Sequence, residues 1–167
     1  TIYAVNYPPF EMENPGADGL RGMDVEVAIA AFSRAGYQAN VKFLPWKRIM
    51  AQVEKGQIMG ALTCKITEQR AEFSHFTDTI STATRSYVAM KNYSGKIPAT
   101  TEDGKNLKLI VVTGYGAQRE LDAAGLKYEP APNDEAALKV LINRNFDLFY
   151  SSREFVQFQA KGDGHSG

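Results

Sequence analysis

In the stretch GALTCKITEQRAEFSHF, residues 60–76, an apolar run closing at Leu62 passes through Thr63, Cys64, Lys65 and Ile66 into a helix start at Thr67. The Thr67 side chain can accept a hydrogen bond from a free first-turn amide. Arg70 falls three residues past that cap. A cation there meets the positive end of the helix dipole, which costs roughly 0.3–1 kcal/mol unless an anion is close. Free amides, a hydroxyl and a guanidinium fork together make an anion site. A solvated arginine at a frayed helix end is the other reading of the same residues.

Upstream, residues 2–6 alternate as a strand does, and Tyr7-Pro8-Pro9-Phe10 ends it because neither proline offers an amide hydrogen. After Gly22, residues 23–35 place Val27, Ala28, Ala31 and Phe32 at helical spacing, with Gly36 as the stop. Val41 and Phe43 mark a second strand. Pro45 opens a helix with Trp46, Ile49, Met50 and Val53 on its apolar face, and residues 58–62 form a third strand. Trp46 reads as core or as part of a partner surface with Lys47 and Arg48.

Downstream, residues 84–91 read as a strand and the polar stretch 92–106 as a connection. Residues 107–112 are almost wholly aliphatic, as in a strand covered on both faces, and Gly114-Tyr115-Gly116 turns into a helix running through Ala124. A short strand at 128–131 precedes a helix capped by Asn133 or Asp134, with Ala137, Leu138, Leu141 and Ile142 inward. Residues 146–150 form a strand, Ser151 or Ser152 caps a last helix to Gln159, and the glycine-rich residues 161–167 form a disordered tail.

Two β-α-β-α-β runs of similar length predict an α/β chain of two small lobes with mainly parallel sheets: residues 1–91, then 92–160. Ligands of such sheets sit beyond the carboxyl ends of the strands. Both the 63–70 loop and the 114–117 loop leave such ends, so they are expected to border one cleft.

Nineteen basic residues balance nineteen acidic ones, which argues against a nucleic-acid footprint or a polybasic membrane patch. No apolar run approaches the roughly 18 residues of a membrane span. The chain opens at Thr1 without a basic and apolar leader, so any export signal is expected to be absent or already removed. Cys64 is the single cysteine and excludes an internal disulfide. No zinc spacing, phosphate loop or calcium loop is present, so no cofactor or metal is expected. Cys64 and His75 lack a third orienting group and make a poor catalytic pair, while His165 lies in the tail.

The ordered set Tyr7-Pro8-Pro9-Phe10, Gly22-Met23-Asp24-Val25-Glu26, Thr67-Glu68-Gln69-Arg70, Gly114 and the 134–147 helix–strand pair resembles the periplasmic solute-binding proteins of family 3, the amino-acid-binding type with the type II periplasmic-binding fold. The resemblance reaches to about Gln159. It implies a non-enzymatic, periplasmic or extracellular protein that closes two lobes on a carboxylate-bearing solute, hinged near Lys91. Such a protein serves an ABC-type amino-acid transport system, its partner being a membrane transporter or receptor. A sensor domain of a membrane signalling protein is the alternative, and a dehydratase of the same fold is a third.

By the same resemblance Arg70 clamps the carboxylate, Tyr7 or Phe10 packs over the ligand, Thr63 donates a hydrogen bond, and Gly114, Tyr115 and Gly116 line the second lobe's side. Phe10 reads equally as core, and Thr63 as the partner of a local backbone group. Three features depart from the family. Lys65 replaces a small hydroxyl residue; Ser152, followed by Arg153, stands where an acid commonly holds the ligand's ammonium; and Met59 replaces an aspartate. The first two predict an anionic ligand. Length departs from the family as well: nothing after Gln159 returns to complete the first lobe. A fragment, a shortened chain or a first lobe that closes differently is expected, with self-association through an exposed edge.

Overall fold

The computed structural model of the chain describes residues 1–162. Of the tail expected at residues 161–167, the first two residues instead belong to the last helix, which runs to Gly162, and the rest, with His165, lies outside the described residues. The chain forms two units, Thr1–Thr82 and a second beginning at Ala83. Both are α/β with parallel-rich sheets, as the residue pattern leads one to expect.

The first unit runs β1 (Ile2–Ala4), α1 (Met23–Arg34), β2 (Val41–Phe43), α2 (Trp46–Glu54), β3 (Ala61–Leu62) and α3 (Glu68–Ala71). Its sheet has the order β2-β1-β3, all parallel, with Ile2 opposite Val41 and Ala4 opposite Leu62. Parallel neighbours need long crossovers, and α1 and α2 supply them. Ala4, Val25, Ala28, Val41 and Leu62 form the core. The buried stripe of α1 is Asp24, Val25 and Ala28, whereas Val27 and Phe32, expected inward, are exposed. An acid occupies the inward stripe, so counting apolar positions alone picks out the wrong face.

Gly22 sets the start of α1. Its φ is +104°, and a Cβ there would lie 2.4 Å from the Phe10 carbonyl oxygen. Only glycine lets the 9–11 segment dock on the helix start, where Met23 N–H donates to Pro9 O at 3.0 Å and Asp24 N–H to Phe10 O at 2.9 Å.

The second unit runs β4 (Arg85–Val88), a 3-10 turn (Glu102–Gly104), β5 (Leu109–Val112), α4 (Gly116–Ala123), β6 (Tyr128–Ala131), α5 (Asp134–Asn143), β7 (Leu148–Ser152) and α6 (Arg153–Gly162). The sheet order is β4-β7-β5-β6. Strands β5, β6 and β7 are parallel; β4 runs antiparallel along β7, with Arg85 opposite Ser152. The strand expected at residues 84–91, within the lobe of residues 1–91, thus belongs to the second sheet, and the division falls after Thr82 instead of near residue 91. Residue pattern identifies a strand but not the edge it pairs with.

All four residues of β5 are buried. Leu109 and Val111 pack on one face with Leu121, Leu148 and Tyr150; Ile110 and Val112 pack on the other with Ala137, Leu141 and Phe149. That two-sided burial is why the run reads as unbroken aliphatic. Pro130 is tolerated because β6 is an edge strand. Ile142, expected inward on α5, is exposed, while Asp134 on the same helix is buried.

Candidate functional site

In the first unit the chain leaves β1 for β2 on one side and later places β3 on the other. The reversal opens the carboxyl ends of β1 and β3, the point at which open parallel sheets bind ligands. The residues arriving there are the 7–11 turn after β1 and the segment from Thr63 to α3.

Arg70 is 4% exposed, so it is not a solvated surface arginine. Its guanidinium Nη1 donates to the Lys65 carbonyl oxygen at 2.8 Å, and its carbon sits 5.2 Å from the Trp46 ring centroid. Trp46 is therefore buried beneath Arg70 and is not part of a partner surface. Thr67 caps α3, accepting from Arg70 N–H at 3.3 Å, as the spacing predicts. The helix spans only Glu68–Ala71, too short to carry a substantial aligned dipole, so the dipole argument for an anion gives way to the placement of the guanidinium itself. The Lys65 side chain is exposed.

Tyr7 N–H donates to Glu11 O at 2.8 Å, and Phe10 N–H returns to Tyr7 O at 3.0 Å, closing a tight turn. The Tyr7 and Phe10 rings stack at 5.8 Å with 16° between their planes; Phe10 is buried and Tyr7 half-buried. Tyr7 is thus the more accessible aromatic of the pair.

Thr63 joins the two segments through residues that sequence reasoning passed over. Its N–H donates to Glu11 Oε1 at 2.7 Å, its hydroxyl contacts the same oxygen, and the hydroxyl also meets Asp24 Oδ2 at 2.7 Å. Ser81 Oγ donates to Asp24 Oδ2 at 2.8 Å. Burial pushes Glu11 up to about 8, against the Thr63 hydrogen bonds and with the help of the Asp24 charge. Burial also raises the Cys64 thiol, opposed by the neighbouring Arg70 guanidinium. The one sequence hint at this cluster is that Asp24 stands four residues before Ala28, on the same helical face; nothing in the sequence marks Glu11 as buried.

The second unit has its own reversal, between the carboxyl ends of β5 and β7. Gly114, with φ +83°, Tyr115 as the N-cap of α4 and Gly116 as its first residue all stand there. Gly114 N–H donates to Gln118 Oε1 at 2.7 Å. Ser152 is fully buried and caps α6, accepting from Phe155 N–H at 3.3 Å. Beside it, Asp134 is 4% exposed and accepts from Ser151 Oγ at 3.0 Å. Burial pushes Asp134 up to about 6, and hydrogen bonds from Ser151 and Tyr115 pull against that rise. Of the two caps the sequence offers for α5, Asn133 takes the place, accepting from Ala136 N–H at 2.8 Å, and Asp134 turns inward instead.

Among the described residues no His, Cys, Asp or Glu cluster converges as a metal site needs, and no helix is long and apolar enough to cross a membrane.

Solved structures share the fold, among them the following three. A histidine kinase sensor domain with similarity to periplasmic binding proteins aligns at TM-score 0.85 and 17% identity, covering 98% of this chain and 72% of that one. The substrate-binding protein of an ABC uptake transporter from Streptococcus pneumoniae, with bound histidine, aligns at 0.79 and 19%, covering 98% and 70%. An ancestral amino acid-binding protein, a precursor of cyclohexadienyl dehydratase, aligns at 0.77 and 20%, covering 96% and 73%. No curated protein sequence matches. The sequence profile of one family spans residues 1–161. With that match over two sheets whose reversals gather a buried arginine in one unit and a buried acid in the other, the chain belongs to the bacterial extracellular solute-binding proteins, family 3.

Proposed function

We propose that the chain binds a small carboxylate-bearing solute, an amino acid or organic acid, outside the cytoplasm, as the solute-binding component of an ABC-type uptake system. The observation that carries this reading is the buried Arg70 guanidinium at the carboxyl ends of the first sheet, backed by Trp46. A planar fork in that position grips a carboxylate with two parallel hydrogen bonds, which lysine cannot do. Thr63 and Lys65 lie on the same segment as Arg70, and Tyr7 and Phe10 lie on the turn that follows β1. Gly114, Tyr115, Gly116 and Ser152 are the second unit's contributions at its own strand ends. With Ser152 in place of an acid, the preferred ligand is an anion.

Family membership supports binding over catalysis. The likeness to an ABC transporter's substrate-binding protein supports transport, and the likeness to a kinase sensor domain supports sensing as the second reading. Thermal melting against a panel of carboxylic acids and amino acids tests the shared part of both readings. A ligand binding only the folded state at a hundredfold excess over Kd stabilises it by roughly 2.7 kcal/mol. A rise in melting temperature with at least one carboxylate, and no product formed, is the expected outcome; flat melting across the panel contradicts the reading.

A further inference from the structure

Three oxygen–oxygen contacts run in series beyond the first sheet: Glu11 Oε1 to Thr63 Oγ1, Thr63 Oγ1 to Asp24 Oδ2 at 2.7 Å, and Asp24 Oδ2 to Ser81 Oγ at 2.8 Å. Each needs a hydrogen, and the two hydroxyls bring one apiece. The third hydrogen must come from a carboxyl group. Both acids are 1% exposed, so bulk water does not solvate them. Glu11 Oε2 has no hydrogen-bond partner among the described residues, which a neutral carboxyl tolerates far better than a buried carboxylate does.

We propose that Glu11 and Asp24 share one proton through Thr63, and that this proton positions the start of the segment carrying Arg70. The inference rests on the carboxylate-binding reading only for what that segment is for; the proton itself is independent of any ligand. The groups facing Glu11 are Asp24 from α1 and Cys64 from the segment after β3, with Arg70 of α3 beyond Cys64. Loss of the proton leaves two carboxylates on either side of one hydroxyl, which can donate to only one of them, and like charges at such separation strongly disfavour joint ionisation. Burial holding Glu11 near 8 agrees with this geometry. The folded-state value lies above the ordinary 4.5, so the stabilisation is complete below about 4.5 and is lost as pH rises through about 8.

Asp24→Asn separates the shared proton from a merely polar contact. Its amide presents oxygen to Thr63 when Glu11 is neutral and nitrogen when Glu11 is ionised, so the ladder stays complete in both states. Cys64, half-buried and adjacent to Thr63, reports how firmly the segment is held through its rate of reaction with the disulfide reagent DTNB. At pH 7 wild type and Asp24→Asn should react at similar rates; at pH 9 wild type should react at least tenfold faster. Electrostatics alone works the other way, because the extra negative charge in wild type raises the thiol pKa and slows its reaction. Carboxyl carbon NMR gives a second reading in wild type alone: one glutamate signal, absent in Glu11→Gln, should titrate near pH 8. Equal Cys64 rates at pH 9, or every glutamate titrating below about pH 6, overturns the proposal. Neither readout uses a ligand, so its failure is separate from failure of the binding reading, which titration of Arg70 variants decides.

Discussion

The guanidinium carbon of Arg70 lies 5.2 Å from the centroid of the Trp46 ring, with both residues buried in the first unit. A cation over the face of a desolvated indole gains on the order of 2 kcal/mol. Trp46 opens α2 directly after Pro45, so the helix start places the ring.

Replacing Trp46 therefore has two separable effects. Trp46→Leu should destabilise the protein, by less than the roughly 3–5 kcal/mol typical of Trp→Ala, from lost burial and the lost ring face. Trp46→Phe should recover part of that. The difference between the two variants should shrink when Arg70 is changed to Met. Urea unfolding of the four combinations measures the coupling; a Phe–Leu difference indifferent to Arg70 removes the cation–ring contact from the account.

Asp134 supplies a pH signature in the second unit. Its folded value of about 6 lies above the ordinary 3.8, so the folded state holds its proton more tightly than the unfolded chain does. Its contribution is complete below about pH 3.8 and is lost as pH rises through about 6. Asp134→Asn should abolish that slope, so the variant gains on wild type between pH 4 and 7. Parallel melting curves for the two proteins over that range contradict the assignment.

The inward face of α5 gives a contrast between neighbours. Leu141→Ala should cost about 2–5 kcal/mol because Leu141 is buried against Ala137 and Phe149. Ile142→Ala, at an exposed position, should stay within about 0.5 kcal/mol. Equal losses in chemical denaturation would reinstate the face first read from the sequence.

The order of elements was legible because each local signal agreed with its neighbours. The aliphatic run of β5, the Pro45 start of α2, the Thr67 cap and the Asn133 cap all appear in the structure. Two features were not legible. Strand β4 finds its partner in β7, some sixty residues along the chain, and that pairing depends on tertiary contact. The acids Glu11, Asp24 and Asp134 are buried through hydrogen bonds to Thr63, Ser81 and Ser151, and polarity scales place such residues outside. Arg70 was legible as a candidate, but for a weaker reason than the structure supplies: a single-turn helix replaces the dipole, and a buried fork on an indole takes its place.

The central claim is that Arg70 grips the solute's carboxylate, and its most direct test is calorimetric titration of wild type and Arg70→Lys with succinate and with L-glutamine. The substitution keeps the charge and removes the fork, so it should weaken binding of the preferred ligand by roughly 1.5–3 kcal/mol, with succinate bound more tightly than L-glutamine by wild type. Equal affinities for wild type and Arg70→Lys, in proteins with matching melting curves, would contradict the account, and tighter wild-type binding of L-glutamine would contradict the anion preference.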